Sequence, residues 1–270
     1  MVIIVDGNRF VTISYTIESD KIDSEYKIVL LSDLHNKQYG KDNYKLLDAI
    51  KRLSPDFICC CGDMLTAHKG AKTDVPLNLF KYLQDYPVYY SIGNHEYRMK
   101  LYTEDYGSEY IEYLDKLRKL GVTVLENDIV KIDNSNICVR GIMIEREYYK
   151  RTGKITCDTQ YIESLNTRVK DDNEYMIMLA HNPEYFEAYA GAGADLVLSG
   201  HVHGGIVKLP LFGGVISPRL QLFPKYDGGL FEIGDSKMIL SRGLGAHTIP
   251  IRMFNPGELV SIKLQPCKND

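Results

Sequence analysis

The sequence predicts an α/β fold from two observations: short apolar runs recur ahead of polar or glycine-containing turns, and the first gaps between them carry helical spacing. The runs are Lys27–Leu31, Asp56–Cys61, Val88–Ile92, Ile137–Gly141, Tyr175–Leu179 and Leu196–Ser199, each of strand length. Ahead of them, Arg9–Ile17 alternates as an edge strand does. Between the first two runs, Asn43–Leu53 places Tyr44, Leu47, Ile50 and the stem of Leu53 on one helical face, and Ser54-Pro55 ends it. Further helices are expected over Val75–Gln84 and Glu109–Leu120, the second stopped by Gly121 as a C-cap. The polar, tyrosine-bearing stretch Glu145–Asn173 reads as a surface loop or helix that could line an entrance. From Gly204 onward the chain turns to Gly, Pro and short β-like runs (Lys237–Leu240, Leu259–Leu264), which predicts a β-rich second sheet. No repeat, low-complexity tract or Pro/Ser linker divides it, so residues 1–270 read as a single domain.

Composition narrows the function. The chain is 44% hydrophobic and 25% charged, enough to bury a core, and its formal charge of −4 with no basic stripe argues against a nucleic-acid partner. Three of the six cysteines are consecutive, Cys59-Cys60-Cys61, inside an apolar run where neighbours point to alternate faces. They read as buried reduced thiols, which fits the cytoplasm, and with no CxxC pair a structural zinc knuckle has no support. No apolar run reaches membrane-spanning length, so a soluble chain is expected.

The polar residues that follow the runs carry the chemistry. Ser32-Asp33-Leu34-His35 comes directly after Ile28–Leu31, at a strand's C-terminal end, where open α/β sheets bind ligands. If the extension continued, Asp33 and His35 would project to one side and offer one oxygen and one nitrogen to a cation. Gly62-Asp63 follows the next run, and a carboxylate there has two oxygens with which to bridge two cations. Gly93-Asn94-His95-Glu96 adds an amide carbonyl and an imidazole. His181 in Ala180-His181-Asn182-Pro183 and the pair in Gly200-His201-Val202-His203-Gly204-Gly205 follow the last two runs. Singly, each block has a bland reading: a capped turn, an exposed histidine, a strand-ending turn. Together, five of the seven histidines sit at strand ends, which scatter would not produce.

The ordered set DxH, GD, GNHE, a lone His and GHxH resembles the calcineurin-like metallophosphoesterase superfamily, over residues 28–205. Gly204-Gly205 with Lys208-Leu209-Pro210, Tyr226-Asp227-Gly228-Gly229 and Ser241-Arg242-Gly243-Leu244-Gly245 resemble a bacterial subgroup, often membrane-associated, that includes UDP-diacylglucosamine hydrolase-like enzymes. The resemblance implies a four-layer sandwich of two mixed β-sheets flanked by helices. It implies two divalent or mixed-valence transition metals (Mn, Fe or Zn), one held by Asp33, His35, Asp63 and His203, the other by Asp63, Asn94, His181 and His201. The implied reaction is in-line attack on phosphorus by a hydroxide bridging the metals, with His95 assisting the leaving group. The superfamily commonly carries another acid three residues after the GD aspartate; Thr66 stands there, which leaves open what orients His95. Glu96 reads better as a structural hydrogen-bonding partner than as a catalytic one.

The implied substrate is a small phosphate ester, nucleotide-linked or lipid-linked, with a phosphodiester or pyrophosphate bond and peripheral association with the membrane face. No protein partner is predicted. The alternatives are a phosphomonoesterase, a catalytically silent scaffold for protein contacts, and a nuclease, which the lack of a basic, aromatic-interleaved stripe disfavours. His68 and His247 fit no ligand block. Arg242, whose loop resembles the subgroup's, could reach a substrate phosphate but reads more readily as a solvated surface charge, and Tyr148 and Tyr149 could stack on a base or sugar but read more readily as rings covering core.

Overall fold

The structure is a computed structural model that describes residues 7–150, 156–168, 171–204, 207–209, 213–216, 225–246, 252 and 254–267. The chain opens with β1 (Phe10–Ser19) and then alternates strands and helices: β2 (Tyr26–Leu31), helix Tyr44–Leu53, β3 (Phe57–Cys60), helix Asp74–Lys81, β4 (Val88–Ser91), helices Asn94–Leu101, Thr103–Tyr106 and Glu109–Lys119, and β5 (Val122–Leu125). A second series holds β6 (Ile129–Lys131), β7 (Ile137–Ile142), helix Thr159–Ser164, β8 (Tyr175–Ala180), helix Phe186–Gly191 and β9 (Leu196–Ser199). The short pair β10 (Val207–Leu209) and β11 (Gly213–Ile216) precedes β12 (Gly229–Ile233), β13 (Ser236–Leu240) and β14 (Gly257–Pro266).

Two mixed six-stranded sheets result, in the orders β1-β14-β2-β3-β4-β5 and β12-β13-β9-β8-β7-β6. Their alternating side chains make the layers. Ile28, Leu30, Phe57, Cys59 and Cys61 face Val139, Ile177, Leu179, Leu196 and Leu198 between the sheets. Val29, Leu31, Ile58 and Cys60 turn outward under the helices carrying Leu46, Ile50, Leu79 and Leu117. Met176, Met178 and Val197 do the same on the other side, under Ile162, Phe186 and Tyr189. The four-layer sandwich therefore stands, and the three cysteines alternate faces as a strand requires; all three are free and fully buried.

Two expectations change. The strands beyond Gly204 do not form one sheet of their own: β10 and β11 pair as a separate two-stranded sheet, β12 and β13 extend the second sheet, and β14 enters the first, parallel to β1 and antiparallel to β2. Burial decides this, since Leu259, Val260, Ile262 and Leu264 are each fully enclosed and only an interior strand covers both faces. The helix Asn94–Leu101 lacks an apolar period and goes unpredicted; its start is held by Glu96, whose carboxylate reaches back to accept the Gly93 N–H at 3.0 Å. The Glu145–Asn173 stretch holds a 3-10 turn at Arg146–Tyr149 and the helix Thr159–Ser164, N-capped by Asp158; residues 151–155 and 169–170 lie outside the described residues.

Candidate metal centre

The site lies where β2, β3 and β4 of one sheet and β8 and β9 of the other end side by side. Each of the seven expected ligands and His95 follows one of these ends within four residues. Asp33 and His35 do not continue the strand. Both sit in the left-handed region, φ 51° and 47°, as does Asp63 at 52°. The extended DxH expectation is thus corrected: the chain coils at once, because the Asp33 and His35 N–H groups donate to Gly62 and Asp63 carbonyls at 3.0 and 3.1 Å. Close approach of the loops depends on Gly62 and Gly93. A Cβ on Gly62 would stand 2.0 Å from the Gly93 nitrogen, and one on Gly93 would stand 2.3 Å from Asp63 Oδ1.

Donors and acceptors can be assigned around His181. Its Nδ1 lies 2.6 Å from the Cys61 carbonyl, which can only accept, so Nδ1 carries a hydrogen and the neutral ring presents a lone pair at Nε2. That lone pair meets Asp63 Oδ2 and Asn94 Oδ1, each at 3.1 Å. Three acceptors converge with no hydrogen among them, which calls for a cation or a proton. In the metal-free protein a proton serves: burial works against it, but Asp63 and Asp33 outweigh burial and push His181 up to about 9. A ring oriented through Nδ1–H to a carbonyl is also the ordinary arrangement of a metal-bound histidine.

Asp63 completes the picture. Its Oδ1 accepts the His95 N–H at 2.7 Å, while the buried Oδ2 faces His181 Nε2 at 3.1 Å, whose proton it accepts in the metal-free protein, and His35 Nε2 at 3.8 Å. Burial alone would raise its pKa, but the His181, His95 and His35 rings hold it well below the carboxylate range. Asp33 is pushed by burial up to about 6, moderated by His181; its carboxylate accepts from Ser32 Oγ and from the His201 N–H at 3.1 Å. His203 Nε2 is 3.6 Å from Asp33 Oδ1.

Two groups of potential ligand atoms bring together three members of each expected set, Asp33, His35 and His203, and Asp63, His181 and His201, each gathered within 4.8 Å. A third group joins His35, Asp63 and His95. This donor set, all oxygen and imidazole nitrogen, fits a divalent transition metal.

The remaining residues fall into place around it. His95 Nδ1 accepts the Ala67 N–H at 2.9 Å, and this backbone donor orients the ring where Thr66 replaces an acid; the Thr66 hydroxyl instead stands 3.2 Å from His35 Nδ1. Burial lowers the His95 pKa. The Glu96 carboxylate accepts from the Asp63 and Met64 N–H groups at 2.8 and 2.9 Å and from Tyr90 OH at 2.7 Å, so it anchors the GD loop. Tyr148 is buried against Tyr161, whereas Tyr149 lies edge-on to His201 at 5.4 Å. Arg242 is not the surface charge expected: it is largely buried and its Nε donates to Glu258. His68 is exposed, and His247, Gly205 and Pro210 lie outside the described residues. Sequence reasoning missed Arg252 and Asn255, which reach the site from beyond the motifs; nothing local to them signals it.

Residues 26–205 match the family described as calcineurin-like phosphoesterase. The chain belongs to that family. Members of the family bind divalent metals. It is 30% identical to an uncharacterized metallophosphoesterase of Helicobacter pylori strain J99, over 92% of this chain and 62% of that one. It is 29% identical to another from Aquifex aeolicus, over 93% and 90%. Against the Helicobacter pylori relative and a Campylobacter jejuni one, this chain spans 62% and 63% of their length. The fold resembles the solved TT1561 of Thermus thermophilus, with a TM-score of 0.51 over 82% of this chain and 91% of that one, at 14% identity. No helix among the described residues is long and apolar enough to cross a membrane.

Proposed function

We propose that this metallophosphoesterase hydrolyses a phosphodiester or pyrophosphate bond through a dinuclear centre. The observation that carries the reading is Asp63 Oδ2, a buried carboxylate oxygen set between His181 Nε2 at 3.1 Å and His35 Nε2 at 3.8 Å, one imidazole from each expected ligand set, as a carboxylate shared by two metals would be. Asp33, His35, Asp63 and His203 would hold one metal in this reading, and Asp63, Asn94, His181 and His201 the other, with Mn, Fe or Zn suited to the donors. Bound there, the metals supply the Lewis acidity that acidifies water and neutralises charge on phosphoryl oxygens.

The protein's own contribution is orientation. Because Nδ1 of His95 takes the Ala67 N–H, the neutral ring carries its proton on Nε2, where it donates to a phosphoryl or leaving oxygen. The buried strand ends exclude bulk water from the ligand carboxylates. The subgroup motifs support a nucleotide-linked or lipid-linked small substrate of the UDP-diacylglucosamine hydrolase-like kind: Gly228 packs on Arg242, so two of the three motif segments meet beside Gly204. With that substrate goes a cytoplasmic chain acting as a single unit of residues 1–270 at the membrane face, without nucleic acid or protein partner.

The test is metal content together with hydrolysis of bis(p-nitrophenyl) phosphate and p-nitrophenyl phosphate, for the unaltered chain and Asp63→Ala. The expected result is near two metals per chain and diester turnover, both lost in Asp63→Ala. Turnover on the monoester alone makes it a phosphomonoesterase. Folded protein that takes up no metal and turns over neither ester overturns the reading in favour of a scaffold.

A further inference from the structure

We propose that residues 242–245, 252 and 254–258, beyond the family-matched residues 26–205, form a positioning clamp for one half of the centre, Asp33 and His203, with Arg252 and Asn255 as its working side chains. Both ligands sit in left-handed backbone, φ 51° at Asp33 and 53° at His203, which a non-glycine residue holds only when its surroundings impose it. The clamp supplies those surroundings. The fully buried Asn255 donates through Nδ2 to the His203 carbonyl at 2.7 Å. The Leu244 N–H donates to the Ser32 carbonyl at 3.0 Å, and the Gly245 N–H to the Asp33 carbonyl. Contact is close enough that a Cβ on Gly243 would lie 2.6 Å from Asp33 Cβ.

Arg252 holds this loop in shape. It is 4% exposed, and its guanidinium spans main-chain carbonyls from two places: Arg242, Gly243 and Gly245 on one side, Asn255 and Pro256 on the other. Burying a cation among carbonyls is costly, and burial lowers its pKa, so an apolar residue would serve better if filling space were the only need. A planar fork of five donors can reach all five carbonyls of the two stretches, a number that exceeds the three donors of an ammonium. The chain of support runs from Arg252 through Gly243 and Gly245 to Asp33, and from the neighbouring Asn255 to His203. The other half of the centre is held differently, His181 by the Cys61 carbonyl and Asp63 by Glu96.

The metal readout of this inference rests on the dinuclear reading above; the imidazole readout does not. Full-length Asn255→Ala and Arg252→Lys are compared with the unaltered chain in imidazole 15N spectra of the metal-free protein, in Mn2+ titrations and in urea unfolding. The clamp predicts that the His203 ring signals move while those of His181 stay, and that one Mn2+ weakens about 10- to 100-fold while the other stays within about twofold. Equal weakening of both metals in step with lost stability, or an unmoved His203, overturns it. If the unaltered chain takes up fewer than two Mn2+, the dinuclear reading falls and the spectra alone decide the clamp.

Discussion

The two sheets bring unlike donors to the same place. The first sends Asp33, His35, Asp63 and Asn94 from the ends of β2, β3 and β4; the second sends His181, His201 and His203 from β8 and β9. The acidic half must keep two carboxylates close together, which is the harder task, and its loops interlock accordingly. A Cβ on Gly93 would meet Asp63 Oδ1 at 2.3 Å and the Asp63 backbone nitrogen at 2.6 Å. On the imidazole half, a Cβ on Gly200 would meet Ser32 Oγ at 2.0 Å and Asp33 Oδ2 at 2.2 Å, both of them ends of side chains. Backbone cannot yield where a serine rotor can. Gly93→Ala should therefore give the largest effect, weakening Mn2+ by more than about 100-fold. Gly200→Ala should cost less, and Ser32→Ala in the same chain should recover part of the loss. Equal losses with no recovery would erase the distinction.

Glu96 is the next lever. Its carboxylate accepts from the N–H groups of Asp63, Met64 and Gly93 and from Tyr90 OH, which ties the ends of β3 and β4 together. In Glu96→Gln, one of these acceptor positions becomes an NH2 facing another donor. Metal affinity should fall about 10- to 100-fold, and urea stability by about 2 kcal/mol. Unchanged affinity would mean that the GD loop holds its shape without the carboxylate.

These cases separate what a sequence displays from what it hides. The strands and the ligand blocks were legible because burial on both faces writes continuous apolar runs, and because a strand end is the natural place for a ligand. The seven candidate ligands and His95 follow strand ends, where that logic puts them. The left-handed coil at Asp33 and His35 was not legible, since it depends on carbonyls of Gly62 and Asp63 about thirty positions away. The place of β14 was hidden for the same reason: its partners β1 and β2 lie at the other end of the chain. Helix Asn94–Leu101 escaped because a cap, not an apolar face, starts it. Thr66 showed only as a missing acid; that the Ala67 N–H holds His95 instead is a fact of the folded loop.

Thr66 also offers a smaller test of the acidic half. Its hydroxyl lies 3.2 Å from His35 Nδ1, so Thr66→Val removes one hydrogen bond from one ligand at nearly constant shape. The expected cost is about 1 kcal/mol, read as roughly fivefold weaker Mn2+ binding with diester KM unchanged. A change in KM without a change in metal affinity would assign Thr66 to the substrate instead.

The smallest effects contrast two ion pairs behind the halves. Glu126 accepts from Lys100 at 2.7 Å, Tyr110 at 2.6 Å and Arg118 at 3.2 Å, tying the far end of the helix that begins at Asn94 to helix Glu109–Lys119. Burial would raise its pKa, but these hydrogen bonds and charges outweigh it and the net shift is downward. A depressed folded pKa means the contribution is present above the ordinary glutamate value and lost as pH falls through the folded one. Because Glu126 is only half-buried, the gain is screened to below about 1 kcal/mol. On the other side, Glu187 and Lys225 pair at 2.8 Å with both side chains in solvent. Urea midpoints measured from pH 7 down to 3 should fall less steeply in Glu126→Gln than in the unaltered chain, while Glu187→Gln should follow the unaltered curve. If the two variants behave alike, the Glu126 cluster is only a surface pair, and the helix carrying Asn94 is held by Glu96 at its start alone.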